Sequence, residues 1–496
     1  MPTVTTTRPD PALDVPAQSL FLATVALVAW GALAFGSPYA WAYVPLAIGC
    51  GALGLLLFWR ARHVSVPKIG DGPVLLALLA FGACAALQLV PLPPGLRTAL
   101  SPNGTALLQA IDLQFALAST SSSAPPAAWL PLTISSAATI KSLALLAAFA
   151  VLLAGLTSFF SRESLAPLVP PLLGFGLLLA FVGILQKAVL GDHAWGGMRI
   201  YGFWEPHARL TTPFGPFVNK NHFAGWMLMA IPLALGYFLG LAEIGFREVR
   251  RGWRNRLLWL SSHHGGHLQL VFVAAMLMIV SLVMTTSRSG LACFVVAVAI
   301  ASIFAVRRQR SWRARVVVVG ALLLMAVVPL AWARVDVVGR MATIGSHDTS
   351  IGLRRAVWRD ALAIAADFPL TGTGLNTFGV AMMKYQTAVL DMRVREAHDD
   401  YLQIAAEGGL LLGVPALAAI LLFARAVRQR FRQSSDDRQS YWLRFGATTG
   451  LVAIAMQSIV EFSLQMPGNA VLFVVLCAAA LHRAPYVRIP REPRAS

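Results

Sequence analysis

A histidine beside carboxylates is what a general base near neutral pH requires: the imidazole takes the proton, and a carboxylate holds its tautomer and stabilises the imidazolium. Residues 395–409, REAHDDYLQIAAEGG, place His398 next to Asp399 and Asp400 immediately before an apolar run. Three chemistries are open to such a cluster. His398 could abstract a proton from a hydroxyl. It could instead cap the following helix while Asp399 and Asp400 sit in the positive first turn. His398, Asp399 and Asp400 could also ligate a metal, although consecutive residues rarely converge on one ion without partners from elsewhere. Glu407 stands nine positions after His398. At about 100° per residue it points to roughly the opposite side of a helix, so the two groups are not expected to act on one atom.

Two further stretches concentrate polar groups. In TTSRSG (285–290), Arg288 occupies a turn of a few residues between apolar runs. Its planar guanidinium can grip a phosphate bidentately at the headgroup level, or else snorkel at the interface. In HARLTTPFGPFVNKNHFAGW (207–226), Arg209, Asn219, Lys220, Asn221 and His222 approach another apolar run. There Asn221 is a candidate N-cap, and the start of the helix it would cap favours an anion.

The elements that hold these residues are membrane spans. The chain has 496 residues, 57% of them hydrophobic and 12% charged, with a mean hydropathy of +0.67, values that exclude an ordinary soluble domain. Apolar runs long enough to cross a bilayer recur at 18–36, 38–58, 73–91, 139–159, 167–189, 222–242, 267–285, 289–306, 315–333, 402–424, 444–461 and 467–482, which predicts an all-α polytopic protein of about twelve transmembrane helices. The first run lacks a cleavage pattern and is expected to be retained. The net charge of +18 comes from arginines gathered in alternate loops, at 60–68, 162, 247–256, 307–315, 425–444 and beyond 483. This is the positive-inside pattern, which puts those loops and both termini in the cytoplasm and points to membrane lipids, not nucleic acid, as the partner of the basic clusters. The stretches at 207–226, 285–290 and 395–409 then all face the other side.

This divides the chain into a cytoplasmic tail (1–17), a first part of the bundle (18–333), an extracytoplasmic loop (334–401), the last spans (402–482) and a basic cytoplasmic tail (483–496). In the large loop, GLRRAVWRDALAIAADFPL has helical periodicity, with Ala356, Ala361, Ala363, Ile364 and Phe368 apolar and Arg354, Arg355, Arg359 and Asp360 polar, before TGTGLNTF breaks it. The nearly uncharged, Ser- and Pro-rich segment 92–138 reads as a poorly ordered flap. Cys50, Cys84, Cys293 and Cys477 lie within apolar runs and read as small buried hydrophobes.

Taken together, GPFVNKNHFAGW, TTSRSG, RRAVWRDALAIAADFPLTGTGLNTF and HDDYLQIAAEGG, in this order and spacing, resemble the O-antigen ligase superfamily, which includes O-antigen ligases, O-antigen polymerases and bacterial protein O-oligosaccharyltransferases. The resemblance covers residues 200–415. It implies a GT-C-like bundle with a large helical outer loop in the bacterial inner membrane, its active site facing the periplasm. It implies transfer of a glycan from an undecaprenyl-diphosphate-linked donor to a glycan, a lipid A core or a protein acceptor, with inversion and with neither metal nor cofactor. By position, His398 would be the catalytic base and Arg288 would hold the leaving diphosphate, with Arg209, Lys220 and Arg355 as further diphosphate ligands. Asp399, Asp400, Asn221 and Glu407 would support them. The family pattern has a second arginine where this chain has Thr212, with Arg209 further upstream. A lipid-linked oligosaccharide transporter is the rival of a different class, but its polar groups would gather at mid-membrane, whereas here they gather at one face.

Overall fold

The computed structural model of the chain describes residues 16–62, 72–120, 129–190, 199–204, 212–249, 252–308, 349–388, 393–432 and 438–482, with 312, 315, 316 and 320. Arg209, the expected run 315–333 (isolated residues aside), residues 334–348, the N-terminal tail up to residue 15 and the C-terminal tail lie outside them. Every regular element among the described residues is helical. The chain begins with α1 (Ala17–Leu33), α2 (Ala40–Arg62) and α3 (Gly72–Leu87), followed by three short helices, α4 (Pro94–Leu100), α5 (Gly104–Ile111) and α6 (Leu113–Thr120). Next come α7 (Ser136–Phe160), α8 (Val169–Leu190), α9 (Lys220–Glu248), α10 (Trp253–Leu260), α11 (His263–Met284) and α12 (Arg288–Arg308). The segment 334–401 supplies α13 (Thr349–Asp367) and α14 (Phe378–Tyr385), and the chain closes with α15 (Asp400–Arg432), α16 (Arg438–Gln457) and α17 (Pro467–Leu481).

Among the described residues, six helices are long and apolar enough to cross a membrane: Ala40–Ala61, Ser136–Phe160, Ala166–Val189, Lys220–Arg247, His263–Met284 and Asp400–Arg432. Shorter apolar helices cover Ala17–Leu33, Gly72–Leu87, Arg288–Phe304 and Pro467–Leu481. The protein is therefore an all-α, multi-pass membrane protein. Of the twelve expected runs, six lie in these helices and four in the shorter apolar ones; the run 444–461 lies largely on α16, which does not meet the same length and hydropathy, and the run 315–333 falls largely outside the described residues.

With no hydrophobic drive between helices inside lipid, close backbone approach is what fastens them. A Cβ on Gly54 of α2 would meet Val151 O of α7 at 2.5 Å, and one on Gly155 would meet Gly54 O at 2.3 Å. These glycines let the α2 and α7 backbones touch.

A second core sits above the bundle. Val357, Ala361, Ile364 and Phe368 of α13 pack there with Leu107 of α5, Phe378 and Met382 of α14, Ala397 and Ala406. The buried stripe on α13 is thus not quite the expected one: Ala363 faces outward. Asp360, expected on the polar face, is buried and accepts from Thr387 N (3.0 Å) and Thr387 Oγ1 (2.7 Å).

The flap expectation fails over 94–120, which folds into α4 to α6. Arg97 is buried and donates to Pro131 O (3.1 Å) and Thr105 Oγ1 (2.7 Å), while Asn103 Nδ2 donates to Asp367 O (3.0 Å). Composition misleads here because one inward-facing arginine and the buried Leu107 organise a segment with almost no other signal. The Ser-rich stretch at 121–128 lies outside the described residues.

Candidate functional site

The site is assembled on the short linker between α16 and α17, residues 458–466 (SIVEFSLQM). The start of α9 is bonded to it and its flanks: Gln457 Nε2 and Ser463 Oγ donate to Asn221 O (3.2 and 3.3 Å), and Asn469 Nδ2 donates to His222 O (3.0 Å). The start of α15 is bonded to it as well. Asp400 N donates to Ser458 O (2.9 Å), Tyr401 Oη to Ala455 O (2.9 Å) and Gln465 Nε2 to Asp400 Oδ1 (2.8 Å). Residues far apart in sequence thus share one small region at the helix ends beneath the cap.

At its centre is Glu461, whose side chain is wholly buried. Oε1 accepts from Asn221 Nδ2 at 2.6 Å and from Arg354 Nη2 of α13, while Oε2 faces His398 Nδ1 at 3.5 Å. Burial alone would push this carboxyl up. The bond to His398 and the charge of Arg354, with smaller contributions from the two histidines, outweigh it and hold Glu461 below the usual carboxylate range. It is therefore an ionised carboxylate at neutral pH. The ring of Phe462 meets His398 and His222 edge-on, each with centroids 4.7 Å apart.

The His398 backbone is left-handed (φ 53°), which turns its side chain back toward Glu461 before α15 begins. About a third of that side chain is exposed. A contact of 3.5 Å is long, so Glu461 orients the ring chiefly through charge. The tautomer with its N–H on Nδ1 satisfies Glu461 and leaves Nε2 with a lone pair. That arrangement can remove a proton from a hydroxyl.

Several sequence expectations change here. The carboxylate beside His398 in space is Glu461, not Asp399 or Asp400. Asp399 is the N-cap of α15, with Oδ1 accepting from Tyr401 N (3.0 Å) and Leu402 N (2.9 Å). Asp400 begins the helix and is held by Gln465. The N-cap of α9 is Asn219, whose Oδ1 accepts from Asn221 N at 2.9 Å. Asn221 is thereby released to donate to Glu461. Arg355 is exposed on α13, and its neighbour Arg354 is the residue that reaches the centre. Among the described residues, no group of three or more His, Cys, Asp or Glu side chains is placed to share an ion.

Glu407 does a separate job. Buried in α15, it accepts from Asn376 N (2.6 Å), Phe378 N (3.1 Å) and Gln403 Nε2 (3.0 Å), which pins the TGTGLNTF turn to the helix. Just beyond it α15 breaks at Gly409 (φ 50°, ψ −144°). Leu410 N and Leu411 N then donate to Pro369 O and Leu370 O (both 2.9 Å). A Cβ at position 409 would lie 2.5 Å from Pro369 O, so only glycine fits this break.

Arg288 is the first residue of α12, directly after a turn in which Thr286 is left-handed (φ 54°). Lys220, the first residue of α9, donates through Nζ to Thr286 Oγ1 (3.3 Å). Lys187 of α8, which the sequence did not single out, donates to Met284 O (2.9 Å). Three cations therefore border one turn. The consecutive residues Lys220 and Asn221 join that turn to the Glu461 centre.

Residues 273–417 match the model of a family described as O-antigen ligase. Over this stretch, under a third of its length, the chain is similar to the O-antigen ligase family. The matched stretch runs from α11 through Arg288, α13 and His398 past the Gly409 break to residue 417, so it contains α13 and α14 of the cap, while Asn221 and Glu461 lie outside it. No curated protein matches the chain.

Glu461 is the residue that sequence reasoning missed. Its signal was a single acidic residue closing the apolar run 444–461, a position where an ionisable group is costly unless paired.

Proposed function

We propose that this protein is a glycosyltransferase of the O-antigen ligase type that moves a glycan from undecaprenyl diphosphate to an acceptor hydroxyl on the extracytoplasmic side of the bacterial inner membrane. In this reading residues 334–401 are the catalytic loop on a GT-C-like bundle. His398 Nε2 takes the proton of the acceptor hydroxyl. The oxygen forms its bond to the anomeric carbon as the carbon–oxygen bond to the diphosphate breaks, with inversion. The diphosphate leaves toward Arg288, with Lys220 beside it, and the imidazolium is stabilised by Glu461. The observation that carries the reading is the His398–Glu461 pair, held by Arg354 from the cap and Asn221 from α9. Arginine-rich helix ends such as Arg430 and Arg444 meet Leu481 and His482 at the far end of α17 from this pair, and the positive-inside rule makes that far end cytoplasmic.

Ligation to lipid A core, extension of a glycan and transfer to protein share this chemistry and differ in the acceptor. The test is transfer by the purified protein from a lipid-linked donor, with and without EDTA. Activity that survives chelator and vanishes in His398→Ala is the expected result. Activity lost in EDTA and restored by Mg²⁺ or Mn²⁺ would overturn the base, and carrier movement across vesicles without transfer would favour a transporter.

A further inference from the structure

Helices α4 to α6 leave the bundle and return to it at one level. The exit and the return are tied by the Leu92–Leu130 bridge, with Leu92 N donating to Leu130 O (3.0 Å), and by Thr133 N donating to Gln88 O (3.0 Å). The same Gln88 donates through Nε2 to Thr371 O (2.8 Å) and Glu407 O (3.0 Å), next to the break where α15 emerges from the cap. The excursion therefore starts where the apolar helices end. Helices of seven or eight residues span only about 12 Å each, and both ends of the excursion are fixed at that level.

The described outward surface of this excursion carries large apolar side chains among small and uncharged polar ones such as Thr98, Gln109 and Gln114. Leu113 is 73% exposed, Trp129 65% and Leu96 49%. Between 92 and 138 the charged residues are Arg97, turned inward, and Asp112, whose Oδ1 accepts from Phe115 N at the start of α6 (3.1 Å). The surface also continues the exposed face of α3, on which Leu76, Leu79 and Leu87 stand outward. That face belongs to an apolar helix of the membrane region, and Val90 carries its exposure on toward α4.

We infer that α4 to α6 lie in the headgroup boundary of the outer leaflet, with Leu96, Leu113 and Trp129 inserted into lipid. Continuity with α3 and the scarcity of charge identify the occupant as the bilayer surface. Short apolar-faced helices bind such a surface by burying that face a few ångströms deep, and tryptophan is enriched at this depth.

The test uses full-length protein in phosphatidylethanolamine/phosphatidylglycerol vesicles, with Cys84 and Cys293 replaced by alanine and NBD attached at Leu113→Cys or Trp129→Cys. Arg359→Cys, on the exposed side of α13, is the aqueous control. A lipid bearing a nitroxide near its headgroup should quench NBD at 113 and 129 severalfold more than at 359, and iodide severalfold less. Equal iodide quenching at all three sites, without nitroxide quenching, would overturn the inference. So would protection from iodide without nitroxide quenching, accompanied by crosslinking between copies through position 113, which would assign the surface to a second molecule.

Discussion

Replacing Glu461 by glutamine keeps the shape of the side chain, removes its charge and reverses the tautomer of His398. Oε1 accepts from Asn221 Nδ2 (2.6 Å) and Arg354, and Oε2 faces His398 Nδ1 (3.5 Å). Glutamine has one acceptor oxygen. Two donors hold it on the Arg354 and Asn221 side, so the new NH₂ group faces His398 Nδ1. That nitrogen must then be the acceptor, which moves the ring proton to Nε2 and blocks the atom proposed to take the proton of the acceptor. General-base assistance is worth about 10²–10⁴-fold, or about 3–5 kcal/mol of barrier. Glu461→Gln should lose that factor in kcat while the KM for the lipid-linked donor stays within about twofold, because the proposed diphosphate ligands are untouched. Glu461→Asp, which keeps the charge at a greater distance, should recover part of the rate. The assay is transfer by purified variants in nanodiscs, with melting temperature measured in parallel to exclude unfolding. A Gln variant that folds and turns over at the wild-type rate, beside an inactive His398→Ala, would refute the orienting role.

Arg288→Lys retains a charge but loses the bidentate fork; with charge-assisted bonds at about 1.5–3 kcal/mol each, loss of two predicts at least a ~100-fold drop in transfer, and full activity would leave only a point charge. Asp399→Ala removes the N-cap of α15 and should cost about 0.5–2 kcal/mol of stability, seen as a lower melting temperature, whereas Asp399→Asn should cap nearly as well and keep activity close to wild type. Because the Glu461 carboxyl is held below its usual range, its stabilisation is present above the unfolded value of about 4.3 and is lost as pH falls through the lower folded value. Wild-type melting should therefore fall more steeply than that of Glu461→Gln on going from neutral pH into that acid range. Gly409→Ala, at a φ and ψ that suit glycine alone and against Pro369 O, should destabilise by at least about 1–3 kcal/mol, measured by thermal melting in detergent.

The apolar runs were legible because hydropathy is a local property: helices form in the described residues at nearly every place the runs predict. What was not legible was how many are long enough to cross a bilayer. The cap was half legible. Periodicity located α13, yet Asp360 turned inward because Thr387 supplies donors that no local pattern announces. The flap was misread for the same reason: Arg97 and Leu107 find their partners only after the chain folds back.

The candidate centre marks the limit most sharply. His398 stands out in sequence because three polar residues precede an apolar run, and the same adjacency makes Asp399 look like its partner. A side chain at i+1, however, leaves a helix start in a different direction from its neighbour, and the free N–H groups of the first turn compete for it. Asp399 yields to that competition. A carboxylate meant to orient His398 has to arrive from another element, one free of capping duty and out of water, where charge acts strongly. Glu461 meets those conditions because it follows α16 and caps no helix, and because Arg354 of α13 offsets its charge while Asn221 of α9 donates a hydrogen bond to it. The chemistry of each residue is written in the sequence, but the pairing belongs to a meeting of four segments, and it was open only to a reading that asked which buried charge still lacked a partner.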